Sequence, residues 1–277
     1  MKKIQFILIV SSLLIFSCEK EATIKIPKVD PKLVVSSFIS PGDTIIYVTV
    51  KKSKPIFEDS NVNTADPITN ASVVLSDGTA SAALSFDSFV GKYKIAATAF
   101  PLIAGKTYYL SVSTPDGKSV SAETTIPANA PADLDLALTP GTTNALEGTV
   151  AVNWTDRINE KNYYRLSIVS LQYNTGSADT IQSWSNYDSK VFTDNNHDGH
   201  QMSSEETGVP INISNGYKAF EARLICCNVD YYLYHNSVFN GNNGGNPFAE
   251  PTLIYSNIKG GLGVFSAYLK VKKRKTY

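Results

Sequence analysis

The sequence predicts a mainly β chain of two antiparallel β-sandwich domains, the first immunoglobulin-like, the second carrying one helix and long loops. Three observations predict it. Short apolar runs recur with residues alternating in character, the period of a half-buried strand. Turn formers such as Pro41-Gly42-Asp43, Asp77-Gly78 and Pro115-Asp116-Gly117 separate them at short intervals. The best helix candidate, Asp230 to Asn240, repeats its apolar residues (Tyr231, Tyr234, Val238) at spacings of three and four.

The first sandwich is expected over 31–127. Leu33 to Ile39 and Thr44 to Val50 are apolar runs on either side of the first turn. Ala71 to Ser76 leads into Asp77-Gly78, a hairpin signal, and Lys92 to Ala97 follows Gly91. Lys106 to Ser113 places Tyr108, Leu110 and Val112 on one face. After the next turn, Val120, Ala122, Thr124 and Ile126 share a side. Seven or eight strands at this spacing indicate an immunoglobulin-like sandwich. Pro127 to Pro131 marks the boundary, and 128–277 is expected to form a second β-rich domain. There Val150, Val152 and Trp154 form one row, and Tyr164, Leu166 and Ile168 another. Phe220, Ala222, Leu224 and Cys226 form a third, which sets Cys226 and Cys227 on opposite faces. The helix near 230–240 ends in the glycine- and asparagine-rich stretch 241–247. Leu253 to Tyr255 and Leu262 to Val271 read as closing strands.

Ahead of all this stands an export signal. Lys2 and Lys3 precede the apolar run Ile4 to Phe16, and Ser17 precedes Cys18. The run is 13 residues long, short for a bilayer crossing. The order is that of a lipoprotein signal peptide, 1–17. Cleavage leaves Cys18 to carry acyl chains and 18–30 to act as a lipidated tether. Two or more chains, at about 0.8 kcal/mol per buried methylene, give durable anchoring without a spanning helix. Glu19, Lys20 and Glu21 resemble the acidic surface-export signal of Bacteroidota lipoproteins. The expected address is the outer membrane, facing the cell exterior.

Composition narrows function. The 25 acidic and 25 basic residues cancel, so no general field favours nucleic acid. The basic run Lys270, Lys272, Lys273, Arg274 and Lys275 reads as a solvated terminal tail. With Cys18 acylated, only Cys226 and Cys227 remain, too few for a cysteine metal site, and Cys226 reads as an apolar filler. There is no Gly-x-Ser-x-Gly, His-Glu-x-x-His or phosphate-binding glycine loop. Three histidines offer little to a Ser-His-Asp assembly. The expectation is a protein that is not an enzyme and requires no cofactor.

One local motif has metal-binding spacing. Counting from Asp194, oxygen-bearing Asn196 and Asp198 stand at places three and five, Gly199 at six, His200 at seven and Glu205 at twelve. Alternate side chains that converge on a hard cation, a glycine for the tight turn and a bidentate glutamate make a calcium loop. Gln201 at place eight departs from that pattern, and Asp, Asn and Gly clusters also build plain surface turns. Both readings stand, Ca²⁺ or a solvated turn. Among aromatics, Trp154 and Tyr164 share rows with aliphatic residues and belong inside. Tyr163, Trp184 and Tyr187 are candidates for a contact surface.

The segment Asn246-Pro247-Phe248-Ala249-Glu250-Pro251, then Ile254-Tyr255-Ser256-Asn257-Ile258 and Gly260-Gly261-Leu262-Gly263-Val264-Phe265, complete a pattern. With Pro31-Lys32-Leu33-Val34-Val35, Ala104-Gly105-Lys106-Thr107-Tyr108 and Asp230-Tyr231-Tyr232, they resemble the Bacteroidota lipoprotein family catalogued as domain of unknown function 4249. The resemblance spans essentially the mature chain. It implies an accessory role in ligand capture or uptake beside a TonB-dependent receptor barrel. The alternative is a calcium-stabilised adhesin or a glycan-binding surface protein. Gly260, Gly261 and Gly263 also have a physical reading, a bulged strand closing the second domain or a close approach of another chain.

Overall fold

Alternation of buried and half-buried side chains sets the first strands. In β1 (Leu33–Ile39) Leu33, Val35 and Ile39 are buried, and in β2 (Ile45–Lys52) Ile46, Val48 and Val50 are. They are followed by β3 (Ser72–Ser76), β4 (Ser81–Ala83), β5 (Ser85–Asp87), β6 (Lys92–Ala96), β7 (Thr107–Ser113) and β8 (Ser119–Thr125). In β7 the buried row is Tyr108, Leu110 and Val112, and in β8 it is Val120, Ala122 and Thr124. The computed structural model describes residues 30–54, 66–141, 147–173, 180–182, 190–210, 217–241 and 253–276.

The remaining elements are β9 (Asp135–Pro140), β10 (Glu147–Thr155), β11 (Tyr163–Tyr173), β12 (Thr180–Gln182), β13 (Lys190–Thr193), β14 (Gln201–Pro210) and β15 (Tyr217–Cys227). Helix α1 (Val229–Gly241) and β16 (Leu262–Thr276) complete the chain. Three sheets result. One runs β12-β11-β15-β16-β1-β2-β6-β5, with β13 also paired to β11; a second is β14-β10-β9 and a third β4-β3-β7-β8. All described strand pairs are antiparallel except β1 with β16.

The described residues are thus mostly strand with one helix, and the sheets face each other as sandwiches. The first core lies between β4-β3-β7-β8 and the β16-β1-β2-β6-β5 part of the large sheet. It takes in Val35, Val48, Leu75, Tyr108, Leu110 and Phe265. Among the described residues, eight strands precede residue 127, as the turn spacing implies. The second core lies between β14-β10-β9 and the β11-β15 part of the large sheet, around Trp154, Tyr164, Phe220 and Leu224. Trp154 and Tyr164 are fully buried, their rings edge-to-face at 5.7 Å.

The last strand serves both cores. Leu262 to Ala267 pair with β1, and Tyr268 to Thr276 pair with β15. Phe265 and Ala267 sit in the first core, and Val271 packs on the second. The basic residues Lys270 to Lys275 are therefore part of a strand and not a solvated tail. Glu221 of β15, buried, holds Arg223 at 2.7 Å, Arg274 at 3.1 Å and Lys272 at 3.9 Å. Burial alone would raise the Glu221 carboxyl; Arg223 and Arg274 outweigh it and hold it below the usual range.

Leu253 to Tyr255, expected as a strand, form none. The Tyr255 N–H bonds to the Ser237 hydroxyl at 2.9 Å, so a side chain on α1 takes the place of a ladder partner. Asn257 then acts as a short stretch of strand itself. Its carboxamide donates to the Phe265 carbonyl at 2.8 Å and accepts the Phe265 N–H at 2.9 Å. Cys226 and Cys227 point to opposite faces as expected, yet both are buried, because α1 covers the second face. Burial pushes the Cys226 thiol up to about 11.

The three family glycines close the first core rather than the second. A Cβ on Gly261 would lie 2.7 Å from the Leu33 carbonyl oxygen, and one on Gly263 only 2.0 Å from that of Val35. Gly263 also has φ of 110°, a conformation other residues resist. Gly263→Ala is therefore expected to cost more than about 3 kcal/mol, since no rotamer moves a Cβ. Urea unfolding measures it; a variant within about 1 kcal/mol of the parent would contradict this packing.

Candidate functional site

Aromatic and polar side chains gather where α1 meets the large sheet. Asn228 caps the helix, its side-chain oxygen accepting the Tyr231 N–H at 3.1 Å. Tyr231 and His235, one turn apart, then face the sheet. Phe38 of β1 lies 5.3 Å from each of their rings, and Tyr268 of β16 lies 5.8 Å from Tyr231. Arg165 of β11 reaches under the helix, donating to the Tyr231 hydroxyl at 3.0 Å and lying 3.2 Å from His235 Nε2. Burial first, and the Arg165 charge second, lower the His235 imidazole to about 4, so it is neutral at neutral pH.

Beside this layer an open cleft of about 410 Å³ is lined by Phe38, Gly42, Asp43, Thr44, Ile45, Tyr47 and Tyr268. Asp43 follows the Pro41-Gly42 turn, and the Tyr268 hydroxyl donates to its Oδ1 at 3.2 Å. Burial raises the Asp43 carboxyl, more than the Tyr268 bond lowers it. Lys92 stands 5.7 Å from the Tyr47 ring centroid and Lys270 5.9 Å from that of Tyr268. Rings beside a half-buried carboxylate offer stacking and hydrogen bonding together, the chemistry that grips a polyol face. Sequence reasoning missed this cleft. Asp43 reads as a turn residue, and nothing local brings Tyr268 to it across 225 residues.

The calcium-spaced residues are placed differently. Asp194 is buried, its carboxylate taken by the Lys161 ammonium and by the Asn162 N–H at 2.6 Å. Asn196 has a left-handed backbone, φ 65°. Asp198 Oδ1 accepts the Asn159 N–H at 2.8 Å, and His200 Nδ1 lies 2.7 Å from the Asp198 carbonyl oxygen. Glu205 lies within β14, opposite Ala151 of β10. Asp194, Asn196 and Asp198 line one open cleft with Asn159, Glu160 and Lys161. Among the described residues no three His, Cys, Asp or Glu side chains group as a metal site.

Tyr163 of β11 is half-buried beneath α1, its ring 5.1 Å from that of Tyr232. Cys18, Trp184, Tyr187, Asn246, Pro247 and Phe248 lie outside the described residues.

The profile of the family described as domain of unknown function (DUF4249) matches residues 19–274. The chain belongs to the DUF4249 family. No curated protein matches this DUF4249 chain. Among solved structures, the crystal structure of chicken CNTN1 FN1-FN3 domains is similar at 11% identity and a TM-score of 0.26, over 90% of this chain and 68% of that one. A likeness that loose carries no inference about function.

The half-buried imidazole gives this DUF4249 protein a testable pH response. Between 6.5, the ordinary value, and about 4, the unfolded chain binds the proton that folded His235 refuses. Stability therefore falls as pH drops through that window and is untouched by this group above it. His235→Phe is expected to flatten part of the fall in Tm between pH 6.5 and 4. Parallel Tm curves for parent and variant would contradict the assignment.

Proposed function

We propose that this DUF4249 chain is a non-catalytic, lipid-anchored protein of the outer-membrane surface in Bacteroidota. In this reading it assists ligand capture or uptake through a TonB-dependent receptor. One observation carries the reading: a basic start, a 13-residue apolar run and Ser17-Cys18 stand directly before Glu19-Lys20-Glu21. In this reading 18–30 is the lipidated tether, and the strands belong to a compact unit that spans Pro31 to Tyr277. The receptor partnership rests on the family resemblance.

The state of the histidines supports a non-catalytic role. His197 Nδ1 lies 3.0 Å from the Asn195 carbonyl oxygen and His200 Nδ1 2.7 Å from that of Asp198, both in an exposed turn. His235 is enclosed between Arg165 and aromatic rings. A glycan-binding surface protein is the second reading, favoured by the Asp43 cleft with its Phe38, Tyr47 and Tyr268 rings.

Mass spectrometry of the mature protein should find an N-terminal Cys18 with acyl chains, and protease added to intact cells should degrade the chain. Cys18→Ala should release it from the membrane fraction. Detergent-solubilised membranes should yield a co-purifying receptor barrel. An unmodified N-terminus would overturn the anchor. A chain that purifies alone yet binds a glycan array, with the binding lost in Asp43→Asn, would favour the second reading.

A further inference from the structure

The tip of the β5–β6 hairpin holds a phenylalanine out in solvent. Phe89 is 97% exposed and its neighbour Val90 42%. Single exposed apolar residues are ordinary, but this one is fixed in place. Asp87 Oδ1 accepts the N–H groups of Phe89 at 2.9 Å and Val90 at 3.3 Å, and its carbonyl accepts that of Gly91 at 2.8 Å. Gly91 has φ of 69°, and Lys94 is ion-paired to the Asp87 carboxylate. The turn is closed by its own bonds, which hold the backbone that carries the ring.

Strand register locates the tip. Tyr93 pairs with Val48 and Ile45 with Ala96, so residues before Lys92 run towards Lys51 and Lys52. Those lysines pair with Val34 and Leu33 at the start of β1. Phe89 and Val90 therefore project from the end of the sandwich at which the chain enters through Pro31. Lys32 stands at that end too, as does Lys118, which donates to the Pro31 carbonyl at 2.7 Å, while Lys52 pairs with Asp116 at 3.4 Å. From Cys18 the connecting residues can reach at most about 45 Å when fully extended.

We propose that Phe89 and Val90 are a second membrane contact, seated among the lipid headgroups of the bilayer that holds the anchor. This rests on the lipid-anchored reading above. A ring with an aliphatic neighbour suits the interfacial zone, and lysines around it meet headgroup phosphates. An anchor on a tether leaves orientation free; a rigid apolar tip at the same end fixes which end faces the lipid.

The test uses the full acylated chain reconstituted in phosphatidylethanolamine vesicles containing about one-third phosphatidylglycerol. Phe89→Cys is labelled with an environment-sensitive fluorophore, since Cys226 and Cys227 are buried at 2% and 4% exposure. Ile103→Cys is the control, 56% exposed in the β6–β7 loop at the opposite end. Emission at position 89 should shift to the blue and be quenched by headgroup-depth nitroxide lipids at least about threefold more than at 103. Ser88→Cys, in the same turn, should follow position 89. Equal quenching at 89 and 103, or none at 89, overturns the contact in a chain whose mass shows acyl groups. A mass without them overturns the anchor itself, and the contact with it. A shift at 89 that requires an added receptor barrel assigns the tip to a protein partner and overturns the membrane contact.

Discussion

The fold depends on β16 changing partners part-way along its length. Up to Ala267 its backbone groups pair with β1, and from Tyr268 they pair with β15. One strand thus closes two cores, and neither sandwich completes its sheet without it. The close approach at the first half is bought with glycine: the Val35 carbonyl occupies the space where Gly263 would carry a Cβ. Asn257 supplies what a further neighbouring strand would, donating to and accepting from the Phe265 backbone. An unpaired buried backbone group costs about 1–3 kcal/mol, so this single amide spares β16 two such losses at Phe265. Because contacts in both cores run through the same strand, local opening of one core exposes the ladder that the other uses.

Helix α1 follows from the same strand. Where β16 crosses from β1 to β15 it presents Tyr268, and beside it Phe38 and Arg165 present an aromatic and a cationic surface to the helix. The helix makes this second face of the sheet an interior, which is why Cys227 is buried and hydrogen-bonds the Tyr163 carbonyl at 3.4 Å. It is also why His235 stays neutral. The Arg165 guanidinium already fills the polar space beneath the helix, and a second positive charge there would find no compensation.

Much of the fold is legible in the residues because β patterning is local. Val35, Val48, Tyr108, Leu110 and Val112 are buried in the alternation the sequence shows. The helix runs from Val229 to Gly241, close to its expected limits. What cannot be read locally is partner choice. Lys270 to Lys275 look like a tail because charges dominate, while the features that keep them in a strand, Glu221 and the second core under Val271, lie elsewhere in the chain. Ile254-Tyr255 has strand composition, yet Ser237 takes its backbone donor. The Asp43 cleft escapes for the same reason. A pairing across 225 residues leaves no trace in a window of ten.

The two ends of the first sandwich are chemically unlike, and this bears on function more than any single residue. Pro31, Lys32 and the Phe89 tip mark one end; the Asp43 turn, Ile45 and Tyr268 mark the other, about 20 Å away along β1. In the proposed lipid-anchored reading, a lipid pulling on Pro31 would bring the apolar tip to the bilayer and turn the aromatic cleft outward. The proposed capture role would need that polarity, because a cleft facing the lipid would meet headgroups before it met any ligand. The polarity arises from topology alone: β1 enters at one end, and the turn into β2 builds the cleft at the other.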